Sequence, residues 1–103
     1  MISRPVTELP KIDVEKILEK YPDAIPVQSP ARGQMLWNID MDGGSSTPVI
    51  GSEVTGGENL GYVQTYYGME EIRALSDGLI VAACIRQGEP VVKGEIIAFV
   101  LKK

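Results

Sequence analysis

Histidine is absent from these 103 residues, and cysteine occurs once, at Cys84. The first absence removes the commonest general base and the commonest metal ligand. The second excludes an internal disulfide and a zinc cluster built from thiolates. Cys84 lies in the apolar run Leu79–Ile85, so a buried, inert thiol is expected. Positive charge is also scarce: ten Lys and Arg stand against fourteen Asp and Glu, a net charge of −4. A nucleic-acid binder would need a basic stripe to meet the phosphates, so that class is excluded. No apolar run approaches a membrane span, and no basic segment leads into a hydrophobic one at the N-terminus. The expected location is cytoplasmic, without a membrane partner.

Other chemistries lack their parts too. No nucleophile stands beside a base and the strands place no carboxylate pair, so an enzyme is not expected. Gly43-Gly44 and Gly56-Gly57 have no Lys-Ser/Thr sequel, which argues against a phosphate cradle. Asp40, Asp42 and Glu53 do not have the spacing of a calcium loop and read as solvated acids. The lysines are Lys11, Lys16, Lys20, Lys93, Lys102 and Lys103, which leaves a stretch from Lys20 to Lys93 with no primary amine.

What is present is an ordinary globular composition, 44% hydrophobic and 23% charged, enough for one modest core. Residues 1–24 divide from residues 25–103 by pattern. Met1–Pro10 is polar and aperiodic, and reads as a flexible arm. Lys11–Tyr21 carries Ile12, Val14, Ile17, Leu18 and Tyr21 at helical spacing, with Asp13 as a candidate cap and Pro22 as a stop. This predicts a short amphipathic helix, packed on the domain or docked on a partner. Beyond it the chain breaks into short β-like runs: Ile25–Ser29, Gly33–Ile39, Val49–Ile50, Leu60–Thr65, Glu70–Leu75, Leu79–Arg86 and Ile96–Leu101.

Those runs repeat. Gly51–Val63 lies on Gly88–Val100 with Gly51/Gly88, Val54/Val91, Gly57/Gly94, Glu58/Glu95 and Val63/Val100 identical. Ser29–Gly33 lies on Ala74–Gly78 at a larger offset, and the difference falls on Asp40–Thr47, a glycine- and serine-rich insert expected to project as a loop. Each copy has too little apolar surface to stand alone. Two copies face to face would bury Val54, Leu60, Val63, Val91, Ile97 and Val100 against Leu36, Ile72, Ile80 and Ile85. Trp37, following Leu36 in a strand, is expected in the core. The predicted fold is all-β: a flattened barrel or sandwich of two quasi-symmetric four-stranded halves, with a short N-terminal helix.

The copies join at Tyr62–Ile72, read as a hairpin turning at Tyr66–Gly68, with Gly68 supplying positive φ. Tyr66 and Tyr67 admit two readings. Adjacent aromatics stabilise a hairpin by cross-strand packing. Alternatively they form an exposed anchor for a partner, widened by Met69, since successive strand residues point to opposite faces.

Two glycine-led half-motifs joined by a hairpin resemble the biotinyl/lipoyl attachment domain over about Ile25–Leu101. Ser29-Pro30 followed by Gly33 is similar to the family's opening Ser-Pro-x-x-Gly. The insert is similar in place and length to the "thumb" of bacterial biotin carboxyl carrier domains. Gly57-Glu58-x-Leu60, Ile72-x-Ala74 with Asp77-Gly78, and Gly88–Glu95 resemble the remaining landmarks. The resemblance implies a barrel-sandwich fold, biotin or lipoate as the family's cofactor, and subunits of a biotin-dependent carboxylase or decarboxylase as partners. It also implies an attachment lysine within Glu-Ala-Met-Lys-Met at the tip. Counting back from Ile72 sets Gln64 on the glutamate and Tyr67 on that lysine. With no amine there, the resemblance implies a carrier-like domain without a cofactor. Its interaction residues would be Tyr66, Tyr67, Gly68 and Met69. Two alternatives stay open: a carrier using another residue or a non-covalent ligand, and an adaptor-type lipoyl-like domain of a transport system.

Overall fold

A computed structural model describes residues 14–44 and 46–102. The arm at Met1–Pro10 and the candidate cap Asp13 lie outside the described residues. The chain runs α1 (Val14–Lys20), β1 (Ala24–Gln28), β2 (Gly33–Trp37), β3 (Met41–Asp42), β4 (Thr47–Pro48), β5 (Glu53–Val54), β6 (Asn59–Thr65), β7 (Gly68–Arg73), β8 (Gly78–Ala83), β9 (Pro90–Val91) and β10 (Ile96–Lys102). Two four-stranded antiparallel sheets, β1-β10-β8-β5 and β7-β6-β2-β9, face each other as a sandwich rather than a closed barrel.

The internal repeat is written into the pairings. Replacing β1, β2, β5 and β6 by β7, β8, β9 and β10, and the reverse, turns one sheet order into the other. The registers follow. Ala24↔Leu101 matches Met69↔Gln64, Val27↔Ala98 matches Ile72↔Gly61, and Gln28↔Ile96 matches Arg73↔Asn59, each after the same bulge. Gly78↔Val54 likewise matches Gly33↔Val91. The turn bonds repeat as well. The Gly57 amide donates to the Ala74 carbonyl and the Gly94 amide to that of Ser29, both at 2.8 Å. Glu58 and Glu95 each accept from the backbone three residues back, at Thr55 (2.9 Å) and Val92 (3.0 Å).

The copies do not stack as separate layers, as face-to-face packing would require. Each sheet takes two strands from each copy, so the repeats interleave. A single copy therefore leaves both sheets half built. The close approach that this demands is met at Gly33 and Gly78, equivalent positions where an added Cβ would run into the carbonyls of Gln64 and Leu101.

Between the sheets lie Met35, Trp37, Val54, Leu60, Val63, Ile72, Ile80, Ile85, Val91, Ile97 and Val100. Trp37 is buried as expected, its Nε1 donating to the Ile85 carbonyl at 2.9 Å. Leu36 is not in this core; it faces outward and is half-buried, because strand alternation sends Met35 and Trp37 inward instead. Cys84 is half-buried between the core and a second cluster in which Ile17 of α1 covers Ala24, Ala82 and Phe99. The insert does not project as an irregular loop. It forms the β3–β4 hairpin, with Pro48 buried and Met41 against the core, and the Gln87 amide donates to Ser46. Val49 and Ile50, expected as a strand, are instead exposed turn residues after β4. No helix among the described residues is long and apolar enough to cross a membrane.

Candidate functional site

The hairpin between β6 and β7 closes on the pair Thr65↔Gly68, which leaves Tyr66 and Tyr67 as a two-residue turn. Thr65 organises it: its Oγ1 donates to the Gly68 carbonyl at 3.0 Å and accepts from the Tyr67 amide at 3.1 Å. Gly68 carries φ of 147° with open space around it, the positive φ anticipated from sequence.

Both tyrosines are 94% exposed. Their rings meet only each other, edge to face at 80° with centroids 5.1 Å apart. They make no cross-strand contact with the sheet, because a two-residue turn puts them beyond the last paired residues. Met69, on the first outward-facing position of β7, is 55% exposed beside them. Tyr66, Tyr67, Gly68 and Met69 therefore form one surface at the end of the sandwich. That surface offers two hydroxyls, two π-faces and a thioether. It offers no amine and no paired base, and among the described residues no group of three candidate metal ligands comes together.

Two features here were not read from sequence. At the end of the β6–β7 ladder away from the tip, Asn59 Nδ2 donates to Glu71 Oε2 at 2.6 Å and Arg73 Nε to Glu71 Oε1 at 2.8 Å, while Arg73 Nη1 reaches the Gly57 carbonyl at 2.7 Å. The Asn59 bond, with the Arg73 charge, holds the Glu71 carboxyl below the usual carboxylate range. Only the register, which sets Asn59 opposite Arg73, brings these groups together. The second feature is a cleft of about 530 Å³ between the edges of β1 and β7. Pro26, Val27, Gln28 and Pro30 line it from one copy, and the equivalent Glu71, Ile72, Arg73 and Leu75 from the other.

No family profile and no curated protein matches the sequence. Solved structures share the fold. A single-chain, multi-domain long-chain acyl-CoA carboxylase matches over 81% of this chain with a TM-score of 0.64 at 13% identity. The urea carboxylase of Kluyveromyces lactis matches over 76% at 0.61 and 17% identity. A succinylglutamate desuccinylase/aspartoacylase from Rhodobacter sphaeroides matches over 76% at 0.55 and 21% identity. The chain spans 8%, 6% and 22% of those proteins respectively, so it has the fold of one domain-sized part of much larger chains.

Proposed function

We propose that residues 25–103 are a biotin carboxyl carrier-like domain that does not carry biotin, and that it acts as a non-catalytic protein-binding module. Residues 1–24 serve it as a preceding arm and helix. One observation carries the reading: the turn apex, where the carrier family presents its lysine, is held by Tyr66 and Tyr67, and no lysine occurs between Lys20 and Lys93. A phenol has no amine to form the amide bond to biotin or lipoate. An exposed tyrosine pair beside Met69 instead has the composition of a binding hot spot, large apolar area at low entropic cost with polar tips. The fold shared with two carboxylases supports a setting in a biotin-dependent carboxylase or decarboxylase assembly. The β3–β4 hairpin corresponds in this reading to the thumb of the carrier domains. A second setting, as an accessory domain of a deacylating enzyme, draws on the likeness to the desuccinylase/aspartoacylase structure.

The intact mass of protein purified from its own host tests the non-carrier claim. The expected mass is that of the bare polypeptide; a surplus equal to a biotinyl or lipoyl group would overturn it. Tyr67→Lys, incubated with biotin, biotin ligase and ATP, then asks whether one residue separates this domain from a carrier. Labelling on a streptavidin blot is expected. Capture of partners by the wild type, lost with Tyr66→Ala/Tyr67→Ala, is the result expected of the anchor; equal capture by both would remove it.

A further inference from the structure

The four outer strands of the sandwich are not alike. β1 is interrupted by Pro26, and Pro30 follows it. β5 and β9 are two residues each, and β9 begins at Pro90. These are ordinary ways of closing a sheet edge to further pairing. β7 uses none of them: Gly68–Arg73 is six residues without proline, at the end of its sheet. Its backbone direction is fixed by the turn below it. The Gly57 amide donates to Ala74 O, and the Ala74 amide donates to Glu58 O, so the even-numbered residues turn their amides toward β6. Met69, Glu71 and Arg73 turn theirs outward, and their side chains share the solvent face of the sheet; Leu75 follows two residues beyond the strand, in a bend.

That edge is complementary to itself in one register. Two copies related by a twofold axis normal to the sheet pair residues of equal parity. An axis at Glu70, at Glu71 or at Arg73 sets like charges against each other, Glu70 on Glu70, Glu71 on Glu71 or Arg73 on Arg73. An axis at Ile72 does the reverse. It sets Glu71 against Arg73 twice, as outward-turned, hydrogen-bonding pairs, and brings Met69 beside Leu75, just past the strand end, twice. It also sets Glu70, on the inward side, against the small Ala74. Met69 at 55% and Leu75 at 75% exposure are among the most exposed large apolar residues outside the tyrosine pair, and this register covers both.

We propose that β7 pairs edge to edge with β7 of a second copy, antiparallel about Ile72, with Glu71 of each chain opposite Arg73 of the other. The two sheets β7-β6-β2-β9 become one eight-stranded sheet, and the cleft beside β7 is closed over by the second copy. The tyrosine tips point away from each other at opposite ends, and Met69 is the one residue shared between the tip surface and this contact.

Analytical ultracentrifugation of the full chain from about 10 µM to about 500 µM tests this. A monomer–dimer equilibrium is expected. Arg73→Glu and Glu71→Arg each place like charges across both symmetric contacts, and each is expected to weaken the dimer about tenfold or more. The double exchange E71R/R73E restores opposite charges, and its dissociation constant is expected within about threefold of wild type. A chain that stays monomeric throughout the range overturns the proposal. So does a single reversal that leaves dimerisation unchanged, or a folded double exchange that remains monomeric. Should a charge variant lose its circular dichroism signal, Met69→Lys and Leu75→Lys report on the same register and are expected to weaken the dimer; indifference to both overturns it. Tyr66→Ala/Tyr67→Ala is expected to dimerise as wild type, and loss of the dimer there would place the interface at the tip instead.

Discussion

The two sheets have the same strand order and share the bulge of the β1–β10 and β7–β6 pairs, yet their outer faces have opposite characters. The β10–β8 pair carries a second bulge, between Phe99 and Val100, that β6–β2 lacks. On β1-β10-β8-β5 the outward position on the long strand is Phe99, 1% exposed beneath Ile17 of α1. The equivalent position on β7-β6-β2-β9 is Tyr62, half-buried and with no described helix over it. Around it, Gln34, Gln64 and Met69 stand where the covered sheet has Leu79, Leu101 and Ala24. The ends differ in the same sense. At one, β1 begins beside the end of β10; at the other, the equivalent strands are joined by Tyr66 and Tyr67. The backbone is thus duplicated, while the outer faces and the two ends are not.

The comparison is sharpened most by the two equivalent aromatics. Phe99→Ala removes a buried ring between strand and helix, and a loss of about 3–5 kcal/mol is expected. Tyr62→Ala is expected to cost about 1 kcal/mol, since its face is already partly in water. Urea midpoints of the two variants measure this; equal losses would mean that the outer faces are not energetically distinct.

Gly33 and Gly78 probe what the sheets share. Gly33→Val and Gly78→Val each drive side-chain atoms into a carbonyl of the neighbouring strand, at Gln64 and Leu101 respectively. Each is expected to cost about 3 kcal/mol, by the same overpacking in both sheets. A large effect at one position and a small one at the other, in the same denaturation experiment, would break the equivalence.

These glycines explain how much could be read in the chain beforehand. A backbone that must approach another strand, as at Gly33 and Gly78, or turn with positive φ, as at Gly51, Gly57, Gly88 and Gly94, favours glycine, so the repeat is visible as spaced glycines and their valines. The strands and most of the core residues follow from it by alternation. Which strand pairs with which does not follow, because an offset between copies says nothing about whether they stack or interleave. The Gly-Ser-rich insert reads as a loop; its hairpin is held by Met41, Pro48 and Gln87, contacts made only after folding. At the tip, alternation assigns Tyr66 and Tyr67 to opposite faces. Both are exposed because the turn occupies those two residues alone, a matter of register that composition does not carry. The ion pair at Glu71 and the open edge of β7 escape for the same reason.

If the tip is built for recognition, removing it should hardly affect folding. Tyr66→Ala/Tyr67→Ala is expected to shift stability by less than about 0.5 kcal/mol, since neither ring touches the sheet and only their mutual edge contact is lost. A urea midpoint that falls as it does for Tyr62→Ala would show that the tyrosines brace the hairpin after all.

The smallest expected effect is electrostatic, and it too belongs to one copy alone, because the position equivalent to Glu71 is Pro26. Glu71 titrates below the ordinary glutamate value, first through its bond from Asn59 and then through the charge of Arg73. A group whose folded value is depressed contributes stability above its unfolded value of about 4.3, and that contribution is lost as pH falls through the lower, folded value. Wild-type stability should therefore fall more steeply than that of Glu71→Gln on acidification from about pH 5 to about pH 3. The carboxylate is on the surface, where salt screens it, so the gap between the two curves should narrow in about 1 M salt. Parallel curves at low salt would mean that the Asn59 bond does not hold the carboxylate in solution. β7 would then be held to β6 by backbone pairing, the packing of Ile72 and the Arg73 bond to Gly57, with nothing added by the carboxylate.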